Sequence, residues 1–136
     1  ARVIGALHAG WRGIVAGIAD AGVAAMTQLG AQPGRIRVAM GPSIRQCCFE
    51  VDAVLADRFE REIPQARQHR RDGRAAKAML DLCGIAREQF VAAGVPPDSI
   101  ALAGECTKCA CERYFSRRAA GGATTGLQLS FIGINS

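Results

Sequence analysis

His8-Ala9-Gly10-Trp11-Arg12-Gly13 lies between an apolar run, Arg2 to Leu7, and a stretch of helical periodicity, Ile14 to Leu29. The run reads as a buried strand and the stretch as a helix. The hexapeptide is then a strand-to-helix turn, where open α/β sheets place ligand-binding groups. Gly10 and Gly13 let a ligand or a metal approach the backbone closely. His8 is a candidate metal ligand or acid/base group. Arg12 offers a rigid fork of donors for phosphate or carboxylate. The competing reading is a packed Trp11 in a tight turn beside a solvated Arg12.

Working outward, Val15, Ile18, Gly22, Ala25, Met26 and Leu29 mark one buried helix face. Gly30 is a C-terminal cap and Pro33-Gly34 a turn. Arg35 to Met40 alternates as a second strand. Strand, helix and strand predict a βαβ unit with a right-handed crossover. Gly41-Pro42 ends that strand at the sheet edge expected to carry His8. The loop beyond it supplies Ser43, Cys47, Cys48 and Glu50. Cys47 and Cys48 read as small hydrophobes, since adjacent cysteines do not easily hold one tetrahedral ion together. Glu50 is the more chemical residue, or it ties down the turn.

Asp52 is expected to cap a helix with Val51, Val54, Leu55, Phe59 and Ile63 on one face, ended by Pro64. Gln65 to Arg74 reads as a basic surface loop with a solvated His69. Ala75 to Ala93 reads as a helix with Met79, Leu82, Cys83, Ala86 and Phe90 inward, stopped by Gly94 and Pro96-Pro97. Ser99 to Ala103 is a short strand. Cys106, Cys109 and Cys111 have a spacing that could begin a zinc site. They lack a second ligand pair at zinc-finger spacing, which predicts that they bind no zinc. A glycine-rich turn, Ala119 to Gly126, precedes a closing strand, Leu127 to Ile134.

Composition bounds the function. A chain of 136 residues, 49% hydrophobic and 21% charged, suffices for one folded domain with a core. The net charge of +5 suits an anionic ligand. Its basic residues lack aromatic interleaving, which favours small anions and argues against nucleic acid. No apolar run approaches the roughly 18 residues that span a membrane. With no secretory signal, the six cysteines read as reduced thiols in the cytoplasm. The chain begins inside an apparent strand and without Met, so it is expected to be an incomplete domain.

Several of these stretches together resemble the YfiH-like proteins, the laccase-domain family of purine nucleoside phosphorylases, often labelled polyphenol oxidases. The hexapeptide at His8 is similar to the family's most characteristic motif. Gly41-Pro42-Ser43-Ile44, with Cys47-Cys48-Phe49-Glu50-Val51, resembles its Gly-Pro-x-Ile…Glu-Val segment. Cys106-Thr107, Phe115-Ser116 and a basic pair resemble its final motif, and Asp81-Leu82 a pair between them. The resemblance covers nearly the whole chain and corresponds to the carboxyl half of the family's single domain, so residues 1–136 are taken as that part. It implies an α/β sandwich, a mixed β-sheet with flanking helices.

It also implies phosphorolysis of purine nucleosides, with adenosine deamination and methylthioadenosine cleavage as related activities. The family's metal, assigned as zinc, is held by two histidines and a cysteine. His8 matches one ligand; the segments carrying the others, Val-His-Gly and Ala-Asp-Cys, do not occur here. Arg12 is expected to bind phosphate and act in catalysis with His8, and Ser43, Glu50 and Arg118 to contact substrate. Departures are Arg45-Gln46 for the usual Gly-Pro, Arg117 for an aromatic or His, and Gly126-Leu127 for Gly-Arg. Copper is disfavoured, because oxygen-reducing clusters need many imidazoles and the chain has two histidines. Expected partners are purine nucleosides, phosphate, and the missing upstream half or a second copy. The alternatives are a non-catalytic remnant or interaction half of a split protein, and a small thiolate zinc protein.

Overall fold

The computed structural model describes residues 2–135. Gly10, in extended conformation, is the N-cap of α1, Trp11–Val15. The chain breaks at Ala16 and Gly17, then resumes as α2, Ile18–Gln28. The periodicity predicts one helix here. The break arises because Gly17 adopts φ 73, a left-handed conformation that redirects the axis and that only glycine adopts cheaply. Gly22 has the close-packing role expected of it, against the amino segment. A Cβ there would stand 2.5 Å from Leu7 Cδ1.

A 3-10 turn at Pro33–Arg35 delays the next strand, so β1 is Val38–Met40 and not the longer run predicted. β2 (Glu50–Asp52) leads directly into α3, Ala53–Glu62. Asp52 occupies the N-cap position, yet its carboxylate makes no cap; it accepts from Lys77 Nζ at 2.5 Å. Phe59 and Ile63 face inward as expected, as does Ala56 one turn earlier, whereas Val54 is 76% exposed. Pro64 does end the helix and opens a 3-10 segment, Pro64–His69.

The predicted loop and third helix are corrected together. Arg70–Asp72 is β3 and Lys77–Leu80 is β4, an antiparallel hairpin. Met79 belongs to this strand; Ala78 and Leu80 alternate into the core around it. The turn closes through Gly73 N–H to the Lys77 carbonyl at 3.1 Å. Only then does α4 begin, Leu82–Ala92, capped by Asp81, whose Oδ1 accepts from Gly84 N at 3.1 Å. Cys83, Ala86 and Phe90 face inward as predicted. The last strand, β5, is Ile100–Leu102.

The result is the mixed α/β architecture expected from the sequence. β1 pairs with β5 in parallel, Val38 opposite Ile100 and Met40 opposite Leu102. β2, β4 and β3 form an antiparallel sheet in that order. Two apolar clusters hold the layers. One joins Ile14, Phe49, Val51, Phe59, Leu80 and Ile85; the other joins Ala19, Val23, Ile36, Phe90 and Val95. α4 contributes to both, and its Gln89 Nε2 donates to the Ile14 carbonyl at 2.8 Å, beside the break between α1 and α2.

The predicted strands Arg2 to Leu7 and Leu127 to Ile134 are not strands. Extended backbone becomes a strand only where a partner satisfies its N–H and C=O groups. Among the described residues neither segment has a ladder. The expected βαβ unit thus lacks its first strand, and the parallel neighbour of β1 is β5. The two terminal segments approach each other, the Arg2 guanidinium donating to the Asn135 carbonyl. Leu127 and Leu129 are each 87% exposed and Phe131 89%. Among the described residues no helix is long and apolar enough to cross a membrane.

Candidate functional site

Parallel pairing puts the carboxyl ends of β1 and β5 at one edge, so the loops that follow them leave together. The Ala103 N–H donates to the Met40 carbonyl at 2.8 Å and the Thr107 N–H to the Ser43 carbonyl at 3.2 Å. Ser43 and Cys106 form a parallel bridge. Gly104 adopts φ 75 and lies against Pro42, where a Cβ would stand 2.9 Å from the ring. Arg45 fastens the crossing: its Nη2 donates to the carbonyls of Ala103 and Gly104 at 3.0 and 3.1 Å. Its Nη1 is buried without an acceptor among the described residues.

This crossing gathers thiols that are far apart in the chain. The sulfur atoms of Cys47, Cys48, Cys106 and Cys109 all lie within 4.8 Å of one another. Cys109 Sγ is 3.7 Å from Cys47 Sγ and 3.4 Å from Cys48 Sγ. Cys106 is buried and Cys48 half-buried; Cys47 and Cys109 are exposed. Burial pushes the Cys106 thiol up, but N–H groups of Arg45, Cys109 and Lys108 outweigh it and bring it down to about 6. Burial and the thiols of Cys109 and Cys106 push Cys48 up to about 12, and Cys47 is raised from the same causes.

The reading of Cys47 and Cys48 as small packed hydrophobes is therefore corrected. The expectation that Cys106, Cys109 and Cys111 bind no zinc rests on the lack of a second ligand pair at zinc-finger spacing; in space, though not at such spacing, Cys47 and Cys48 stand beside Cys106 and Cys109. Cys111 is exposed and lies outside the group. Cys83 is buried with its Sγ 3.0 Å from Ser43 Oγ. No local spacing could reveal the cluster, because its halves sit on two loops that only the pairing of β1 with β5 brings together.

The other candidate residues occupy neighbouring elements. His8 is exposed on its turn, and Gly10 leaves room for the ring: a Cβ there would stand 3.1 Å from His8 Nε2. Arg12 stacks on the Trp11 ring, 4.5 Å from its centroid. Both lie on a shallow depression shared with Val15, Ala16, Arg58 and Glu62. Trp11 also packs partly onto the first core cluster, so the packed-Trp reading of the hexapeptide holds for that residue.

Glu50 and Arg118 meet: Arg118 Nη1 donates to the Glu50 carbonyl at 2.7 Å, and its guanidinium lies 5.2 Å from the Phe49 ring centroid. His69, expected in solvent, is half-buried with Nδ1 3.9 Å from Asp81 Oδ2. Its carbonyl accepts from Gln46 Nε2 at 3.0 Å and Asp81 N at 2.9 Å. Among the described residues, the one group of three or more side chains suited to a metal is the thiol cluster, and His8 is not part of it.

The chain is 39% identical over 122 residues to an adenosine deaminase from an unknown prokaryotic organism, covering 89% of this chain and 47% of the relative. It is 38% identical over 135 residues to the purine nucleoside phosphorylase YlmD of Geobacillus stearothermophilus, covering 98% of this chain and 49% of the relative. The crystal structure of YlmD from that organism superimposes with a TM-score of 0.79 at 37% identity, over 87% of this chain and 44% of that one. The chain thus spans about half the length of these relatives. The family model described as multi-copper polyphenol oxidoreductase laccase matches residues 1–135. On that match, the chain belongs to the laccase-like family of YfiH and YlmD.

Proposed function

We propose that the chain carries part of the active site of a purine nucleoside phosphorylase that cleaves inosine and adenosine with phosphate. The observation that carries this reading is its 38% identity, over 98% of its length, with the purine nucleoside phosphorylase YlmD. In the reaction a phosphate oxygen forms a bond to the anomeric carbon as the bond to the purine nitrogen breaks. The electron pair leaves on the purine, which takes up a proton, and the sugar becomes a 1-phosphate.

A cation that holds the phosphate lowers the barrier to this encounter. Arg12 suits that role, since its fork matches two phosphate oxygens and stacking on Trp11 orients it. Arg118 keeps further N–H groups beyond the one that binds the Glu50 carbonyl. The exposed Glu50 carboxylate, at the start of β2, is suited to accept from sugar hydroxyls, and Ser43 lies on the loop that leads to it. Zinc at His8 is part of the reading for a protein of the relatives' length. Among the described residues His8 belongs to no group of three metal-ligating side chains. This chain alone does not complete a catalytic zinc site, and no step above passes through the metal. Copper chemistry finds little support in two histidines set on different elements.

Deamination of adenosine is a second reading, favoured by the 39% identity with an adenosine deaminase. A cytoplasmic location is part of the proposal, supported by six free thiols. The test compares the 136-residue chain with a form of the relatives' length, assaying inosine and adenosine with phosphate and identifying the products. Turnover to purine base and sugar phosphate is expected in the longer form, with little in the short one. In the longer form His8→Ala abolishes it, and Arg12→Ala raises the KM for phosphate by about 10- to 100-fold, the loss of one charged hydrogen-bonding partner. An unchanged phosphate KM removes Arg12 from its role. Inosine as the sole product from adenosine selects deamination.

A further inference from the structure

We propose that Cys47, Cys48, Cys106 and Cys109 form a tetrathiolate site for zinc that fastens the loop after β1 to the loop after β5. The sulfur separations suit one small, thiophilic cation. A tetrahedral zinc with bonds of about 2.3 Å to sulfur sets neighbouring sulfurs about 3.8 Å apart. The separations of 3.4 and 3.7 Å from Cys109 lie close to that edge. No pair is more than 4.8 Å apart, at most about 1 Å beyond that edge and within reach of one thiol's side-chain rotation.

Three further features point to thiolates here. Cys106 and Cys109 have the x-x spacing of a zinc-binding turn, and the Ala110 N–H closes that turn on the Cys106 carbonyl at 3.0 Å. The Arg45 N–H donates to Cys106 Sγ from the opposite loop at 3.5 Å. Hydrogen bonds of this kind stabilise sulfur as an anion, the form that binds metal. Adjacent cysteines on an extended strand would point to opposite faces. Cys47 and Cys48 instead lie in a turn closed by Cys48 N–H and Phe49 N–H on the Arg45 carbonyl, both at 2.9 Å, and so reach the same side.

Binding zinc releases the thiol protons and leaves a doubly negative centre. Arg45, half-buried and with its Nη1 unpaired among the described residues, lies on the same loop as a compensating charge. All four positions are taken by sulfur, so the site is structural: it holds Ser43 and the start of β2 in place and offers no open position for substrate. This inference does not rest on the nucleoside reading, and its readout is not enzyme activity.

The test is metal binding by the 136-residue chain, purified under reducing conditions, stripped and titrated with Zn2+ and Co2+. One Zn2+ per chain is expected. Co2+ should give the intense sulfur-to-cobalt charge-transfer bands and visible bands of tetrahedral thiolate cobalt. Cys48→Ser and Cys109→Ser should weaken binding by more than about 100-fold, since even outer-shell changes cost 10- to 100-fold. Cys111→Ser and His8→Ala should leave it unchanged. The cobalt spectrum of the unaltered chain decides the matter even if a serine variant misfolds. A spectrum without thiolate charge transfer overturns the proposal. So do metal binding lost in His8→Ala but kept in Cys109→Ser, and a Cys48–Cys109 disulfide with no metal uptake by the reduced chain.

Discussion

At the scale of single residues, the break between α1 and α2 rests on one backbone angle. Gly17 sits at φ 73 with only Asp20 Oδ2, 3.5 Å away, near the place a Cβ would occupy. Space is available, so the cost of a side chain there is conformational. Gly17→Ala should lose about 1–2 kcal/mol, read from the urea midpoint at constant slope. Gly22 differs: its Cβ would meet Leu7, so the penalty is one of packing. The helix-ending role of Gly30 was legible in the sequence, because it follows the last periodic residue, and the structure gives it φ 91. Gly17 was not, because a glycine inside an uninterrupted apolar period looks like a tolerated one.

At the scale of elements, Asp52 and Asp81 stand at the same formal position before α3 and α4 and act differently. Asp81 caps, through Oδ1 to Gly84 N; Asp52 turns to Lys77 on the neighbouring strand. Asp81→Ala should therefore cost about 1 kcal/mol in chemical denaturation. Asp52→Ala should cost less, because its partner is an exposed ion pair. A loss for Asp52→Ala equal to that for Asp81→Ala would reverse this assignment. The choice between caps depends on what packs alongside, which a helix signal does not contain. The same limit explains the span from Ala75 to Ala93. Met79 fits a helical period and a strand equally well, and pairing of β4 with β2 and β3 made it a strand.

At the scale of the whole molecule, the outstanding feature is the apolar side of the terminal segments. Leu127, Leu129 and Phe131 alternate along the closing segment and are almost wholly exposed, with Ile4 and Leu7 partly so. Large apolar side chains exposed in this number favour association or further strand pairing. The 136-residue chain is expected to self-associate with rising concentration and to bind a hydrophobic dye. Substituting Leu127, Leu129 and Phe131 together by Ser should reduce both, measured by light scattering and dye fluorescence. A chain monodisperse at all concentrations, with no dye binding, would contradict the expectation.

The amino-acid sequence by itself determined the α/β class, the family and most helices within a turn or two. Each of those is written in local order: apolar periodicity, Gly and Pro punctuation, and contiguous motifs. Only the tertiary structure decided which extended runs found partners, since a strand requires hydrogen bonds from elsewhere in the chain. It alone set β5 beside β1, and with that pairing carried Cys106 and Cys109 to Cys47 and Cys48 across some sixty positions of sequence. Spacing along a chain cannot register such a meeting, because the distance that matters to a thiolate and a metal is measured through space.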